Sequence, residues 1–119
     1  MKDFREFKFW DRAHRLVVRV YEVTRNFPKE ELVNLTAAMR RTATMLGASI
    51  VEASVNTGER ESIPQLQAAL NTTAQVEYHV LLSRDLGYID ETTFDELTVE
   101  VQELRRQLAT QITRIRSLR

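Results

Sequence analysis

Cysteine is absent from this chain, which excludes a disulfide framework, thiolate metal sites and a cysteine nucleophile. Glycine and proline are scarce, three and two among 119 residues, a composition suited to helices. No phosphate-cradling glycine loop is present, and no serine is bracketed as a nucleophile elbow. No run approaches the ~20 apolar residues that a membrane span requires. No basic and apolar leader opens the chain, so the expectation is a cytoplasmic protein with no membrane association. Excess charge of one sign is also missing: seventeen Lys/Arg balance seventeen Asp/Glu.

What is present is helical periodicity. Four apolar stripes follow one another at spacings of three and four residues. The first is Trp10, Ala13, Val17, Val20, Tyr21 and Phe27, stopped by Pro28. The second is Leu35, Met39, Thr42, Leu46, Ile50 and Ala53, closed by the turn signal Asn56-Thr57-Gly58. The third is Leu66, Leu70, Thr73, Glu77, Val80 and Arg84, opened by a capping box of Ser62 with Gln65 and a first-turn Pro64. Gly87 suits the left-handed position that ends it, and Asp90 suits the N-cap of the fourth helix. The fourth stripe, Phe94, Leu97, Val101, Leu104, Leu108, Ile112, Ile115 and Leu118, is the cleanest. Gly47 alone among the glycines falls inside a helix.

Short connections force neighbouring helices to run in opposite directions. The expected fold is therefore all-α: one antiparallel up-and-down four-helix bundle over 1–119, with helices at roughly 8–26, 34–55, 63–86 and 91–117.

Candidate sites follow from the polar residues. Through Arg60 there are eleven Lys/Arg against eight Asp/Glu, and beyond it six against nine. Lys2, Arg5, Lys8, Arg12 and Arg15 near the start, with Arg114, Arg116 and Arg119 near the end, are the candidates for phosphate contact. Their competing reading is a set of solvated helix faces, with the last three complementing a helix dipole. Glu77 falls on a core stripe, and a buried carboxylate needs a partner, so a structural ion pair with Arg40 or Arg41 is expected. Phe4, Phe7, Phe9 and Trp10 place four of nine aromatics in the first ten residues, for packing over the bundle or for assembly. No metal or cofactor is expected: His79 has Glu77 at the wrong spacing, and Asp11 with His14 stands alone.

Several of these segments carry a resemblance. Phe7-Lys8-Phe9-Trp10, Ala13-His14, Asn26-Phe27-Pro28-Lys29-Glu30, Leu35-Thr36, Arg40-Arg41-Thr42-Ala43 and Asp85-Leu86-Gly87-Tyr88-Ile89 occur in an order that resembles the four-helix proteins encoded in 23S rRNA intervening sequences. The chain departs from that pattern at Leu46-Gly47-Ala48-Ser49-Ile50-Val51-Glu52-Ala53, where the family has a proline, an asparagine and a final glycine. The resemblance implies a homopentamer of bundles and an association with RNA. Related bundles accompany reverse transcriptases of retroelements. The functional expectation is a non-enzymatic oligomeric binding or scaffold protein engaging RNA, DNA or a nucleoprotein. The alternative is a protein–protein adaptor that docks through its aromatic N-terminus.

Overall fold

A computed structural model describes residues 4–6, 9–56 and 58–118. Its α-helices are α1 (Trp10–Thr24), α2 (Leu35–Ser54), α3 (Ile63–Asp85) and α4 (Glu91–Arg116), with short 3-10 turns at Phe4–Glu6, Lys29–Glu31 and Arg60–Ser62. No strand occurs among the described residues, so the protein is all-α with four helices. Each helix packs on the next, and α4 returns to α1. The molecule is elongated, 50 × 23 × 19 Å.

The helix ends follow their local chemistry. Asp90 caps α4, its Oδ1 accepting the Thr93 backbone N–H at 2.8 Å. That bond favours the charged carboxylate and holds the Asp90 pKa below its ordinary value. At the end of α3, Gly87 takes φ +79°, Tyr88 N–H bonds Ser83 C=O and Gly87 N–H bonds Arg84 C=O. These are the paired bonds of a Schellman cap, and they need the left-handed residue that glycine supplies. The capping box expected at α3 does not form. Ser62 Oγ donates back to the Glu59 carbonyl, and Gln65 accepts from Asn56, because a 3-10 turn already leads into the helix.

The core has two parts. The larger joins Phe9, Leu16, Leu46, Leu66, Leu104 and Leu108 with their neighbours. The smaller gathers Val20, Phe27, Leu35 and Met39, with Tyr88 packed on it. Tyr88 faces Phe27 with ring centres 5.0 Å apart and donates its hydroxyl to Glu31 at 2.7 Å. The Glu31 carboxylate raises the Tyr88 pKa, since it favours the protonated phenol.

The α2 and α4 stripes are buried where the spacing places them, except that Phe94 is half-buried and Leu118 exposed. In α1 Tyr21 is exposed, and Leu16 and Thr24 are buried. The buried line of α3 is Leu66, Ala69, Thr73, Val76, Val80 and Ser83, which leaves Leu70, Glu77 and Arg84 at the rim.

Gly47 lies within α2 without a positive φ, and a Cβ there would meet Val17 Cγ2 at 3.5 Å, an ordinary contact. Gly47→Ala should therefore stabilise the fold by about 0.5–1 kcal/mol, the helix-interior cost of glycine. A urea unfolding midpoint that rises checks it; a lower midpoint means that α1 and α2 have no room for the methyl.

Candidate functional site

Arg12, Arg15 and Arg19 recur along α1 at spacings of three and four, and each is already paired. Arg12 Nη1 meets Glu100 Oε2 at 2.8 Å and Arg19 Nη2 meets Glu96 Oε1 at 3.0 Å, both across to α4. Arg15 Nε meets Asp11 Oδ2 at 2.9 Å on its own helix. A groove of about 770 Å³ runs between the two helices over Leu16 and Leu97. Its walls hold Arg15 and Arg19 against Glu22, Asp95, Glu96 and Glu100, so the face is acidic on balance. Arg15 and Arg19 of α1 thus share their face with the acidic first half of α4.

The C-terminal arginines are placed differently. Arg114 Nη2 meets Glu59 Oε2 at 2.9 Å, and Arg60 donates to the Leu118 carbonyl. Arg116 is exposed, with no ion pair among the described residues. Arg5 lays its guanidinium 4.6 Å from the centre of the Phe4 ring. Lys2, Lys8 and Arg119 lie outside the described residues, as does Phe7. Arg12 reaches α4 at Glu100. Arg114 is four turns further on, roughly 20 Å along the axis at 1.5 Å per residue. Arg12 and Arg114 therefore lie well apart along α4.

The aromatic cluster is engaged in packing. Phe9 is 1% exposed inside the larger core, and half-buried Trp10 packs against it. The Phe4 and Trp10 ring centres are 5.3 Å apart, and His14 stacks on Trp10 at 5.0 Å and 7°. His14 is an exposed residue leaning on that ring.

Glu77 is paired with Arg105, not with Arg40 or Arg41. Arg105 Nη2 donates to Glu77 Oε1 at 2.7 Å, Arg105 Nε to Thr73 Oγ1 at 3.0 Å, and Gln102 Nε2 to Glu77 Oε2 at 3.2 Å. The Arg105 hydrogen bond lowers the Glu77 pKa from its ordinary value, against a smaller opposing effect of burial. The rotation of α3 turns Glu77 towards α4, whereas Arg40 stays on the α1 side. There Arg40 donates to Thr24 Oγ1 at 2.9 Å and covers the Tyr21 ring at 4.8 Å. Arg41 is exposed. Arg105 could be found from the sequence only by knowing the α3–α4 register.

Residues 5–110 match the family described as 23S rRNA-intervening sequence protein. The chain belongs to that family. Among solved structures it is similar to a protein of unknown function from the S23 ribosomal protein family of Bacteroides thetaiotaomicron, with a TM-score of 0.79 and 22% identity, covering 87% of this chain and 94% of that one. That likeness carries the fold. No curated protein matches the chain.

In this member of the intervening-sequence family, the described residues hold no group of three or more His, Asp or Glu placed for a metal ion. Asp11 is engaged by Arg15. His79 is half-buried with Nδ1 unpartnered, and burial lowers its pKa towards the neutral imidazole. No described helix is long and apolar enough to cross a membrane.

Two stability measurements separate packing from partner roles. Phe9→Ala should cost about 3–5 kcal/mol in urea unfolding, the range for emptying a buried aromatic site; a loss near zero would return Phe9 to the surface. Glu77→Gln should cost about 1 kcal/mol near neutral pH, as expected for a half-exposed charged hydrogen bond. Because the folded-state pKa of Glu77 is depressed, that contribution is present above the unfolded value and disappears as pH falls through the folded one. The two proteins should unfold alike in acid; a gap that persists there means the pair is not the source.

Proposed function

We propose that this chain is a non-enzymatic, self-associating binding protein of the cytoplasm that holds RNA, or a ribonucleoprotein, at one end of an antiparallel up-and-down four-helix bundle. The helix directions are supported by contacts that run in opposite chain order. Arg12 and Arg19 meet Glu100 and Glu96, and Arg84 and Glu59 meet Glu91 and Arg114. In such a bundle the starts of α1 and α3 share an end with the finishes of α2 and α4. Arg5, Arg60, Arg114 and Arg116 then belong to that end, beside Glu59 and Glu61. The other end has Glu30, Glu31, Asp85, Asp90 and Glu91 against Arg25, Lys29 and Arg84.

The observation that carries the reading is the contrast among the arginines. Those of α1 sit in an acidic face, whereas Arg116 has no ion-pair partner among the described residues and Arg114 is held by the half-exposed carboxylate of Glu59 and by Gln111. An exposed pair contributes little and yields readily to a phosphate. The family description points to RNA as the class of partner. A neutral chain binds weakly through one such end, and pooling ends in an oligomer, such as the ring of five that the resemblance implies, multiplies the contact. The adaptor reading has less support, because Phe9 and Trp10 are occupied in the chain's own core.

Fluorescence anisotropy with a labelled structured RNA across a salt series tests this. Binding should weaken as salt rises. Arg114→Gln with Arg116→Gln should lower affinity and flatten the slope of log K against log salt by ~0.7–0.9 for each phosphate no longer neutralised. Arg12→Gln with Arg15→Gln should change neither. No binding even at low salt would sink the RNA reading.

A further inference from the structure

Of the neighbouring helices, α1 and α4 touch least, and the groove of about 770 Å³ opens along their seam. Its floor is sealed: Leu16 is 2% exposed and Leu97 1%. Its lips are apolar as well. Val18 of α1 is 44% exposed and Val99 of α4 60%, and both line the groove. Aliphatic side chains exposed on two facing helices, with a buried apolar floor between them, form a continuous strip that gains from being covered.

The charges around the groove specify its occupant. Arg12 is taken by Glu100, Arg19 by Glu96 and Arg15 by Asp11. Glu22 and Asp95 are exposed, and neither carboxylate has an ion-pair or hydrogen-bond partner among the described residues. The pairs of Arg12 with Glu100 and Arg19 with Glu96 set the register of the two helices. Glu22, past Arg19, and Asp95, past Glu96, therefore fall at the same end. An apolar trough with two unpaired carboxylates at one end suits a cation carried on an apolar body. From Arg15 to Glu22 the groove follows α1 for about 10 Å at 1.5 Å per residue, two turns of a helix. A helix with apolar residues at i, i+3 or i+4, and i+7 covers that length, and a Lys or Arg beside them reaches the carboxylates. No strand edge exists among the described residues for an extended peptide to join.

We propose that the α1–α4 groove docks a basic amphipathic helix of a partner protein, its apolar stripe over Val18 and Val99 and a Lys or Arg at Glu22 and Asp95. The site is separate from the arginine-bearing end and does not depend on RNA. The probe is a fluorescent helical peptide of about 15 residues with a Leu stripe and a Lys face, titrated with the full chain by anisotropy. It should bind, and a peptide of the same composition scrambled to break the stripe should bind far more weakly. Glu22→Lys with Asp95→Lys should weaken binding roughly tenfold or more, since like charges then meet. Val18→Ser with Val99→Ser should weaken it roughly fivefold or more through lost apolar cover. Glu30→Lys with Glu61→Lys makes the same change of charge away from the groove and should leave affinity within about twofold. All six side chains are exposed, and circular dichroism verifies that the variants remain folded. No binding by the unaltered chain overturns the site. So does binding that the groove variants leave unchanged, or that Glu30→Lys with Glu61→Lys weakens equally, which is a general attraction between cations and carboxylates. Equal binding of the scrambled peptide overturns the helix as occupant.

Discussion

The structure depends most on the covering of α3. Its buried line runs from Leu66 to Ser83, and its flanks are neutral, so it gains from a helix on each side. It packs extensively on α2 and on α4, whereas α1 touches α4 far less. The α1–α4 seam is instead bridged by Arg12–Glu100 and Arg19–Glu96, partly exposed ion pairs of the kind that contribute little. Three helices thus form the compact part of the molecule, and α1 is held chiefly by α2 and by Phe9 in the larger core.

Legibility in the sequence followed contrast. The α4 stripe stands out because apolar residues at three- and four-residue spacing alternate with charges, and six of its eight positions are buried. In α3 the contrast fails for a physical reason. Thr72, Thr73 and Ser83 are buried because their hydroxyls bond carbonyls one turn back, to Ala68, Leu70 and His79. Small hydroxyl residues satisfied by their own helix serve as core without looking apolar. Spacing alone therefore selects Leu70, Glu77 and Arg84, one position round the helix, and the expected partner of Glu77 shifts with them.

The charged residues show a different limit. Sequence identifies which side chains are cations but not which carboxylates lie opposite, because pairing between α1 and α4 depends on register. In a chain with equal numbers of each sign, many cations find a partner. Among the described residues seven arginines do so by direct contact: Arg12, Arg15, Arg19, Arg84, Arg105, Arg106 and Arg114. Candidate phosphate contacts are better sought among those left over, and Arg116 belongs to that remainder. Glycine was easier to place: Gly87 is required by its positive φ, whereas Gly47, inside α2, is required by neither conformation nor close approach.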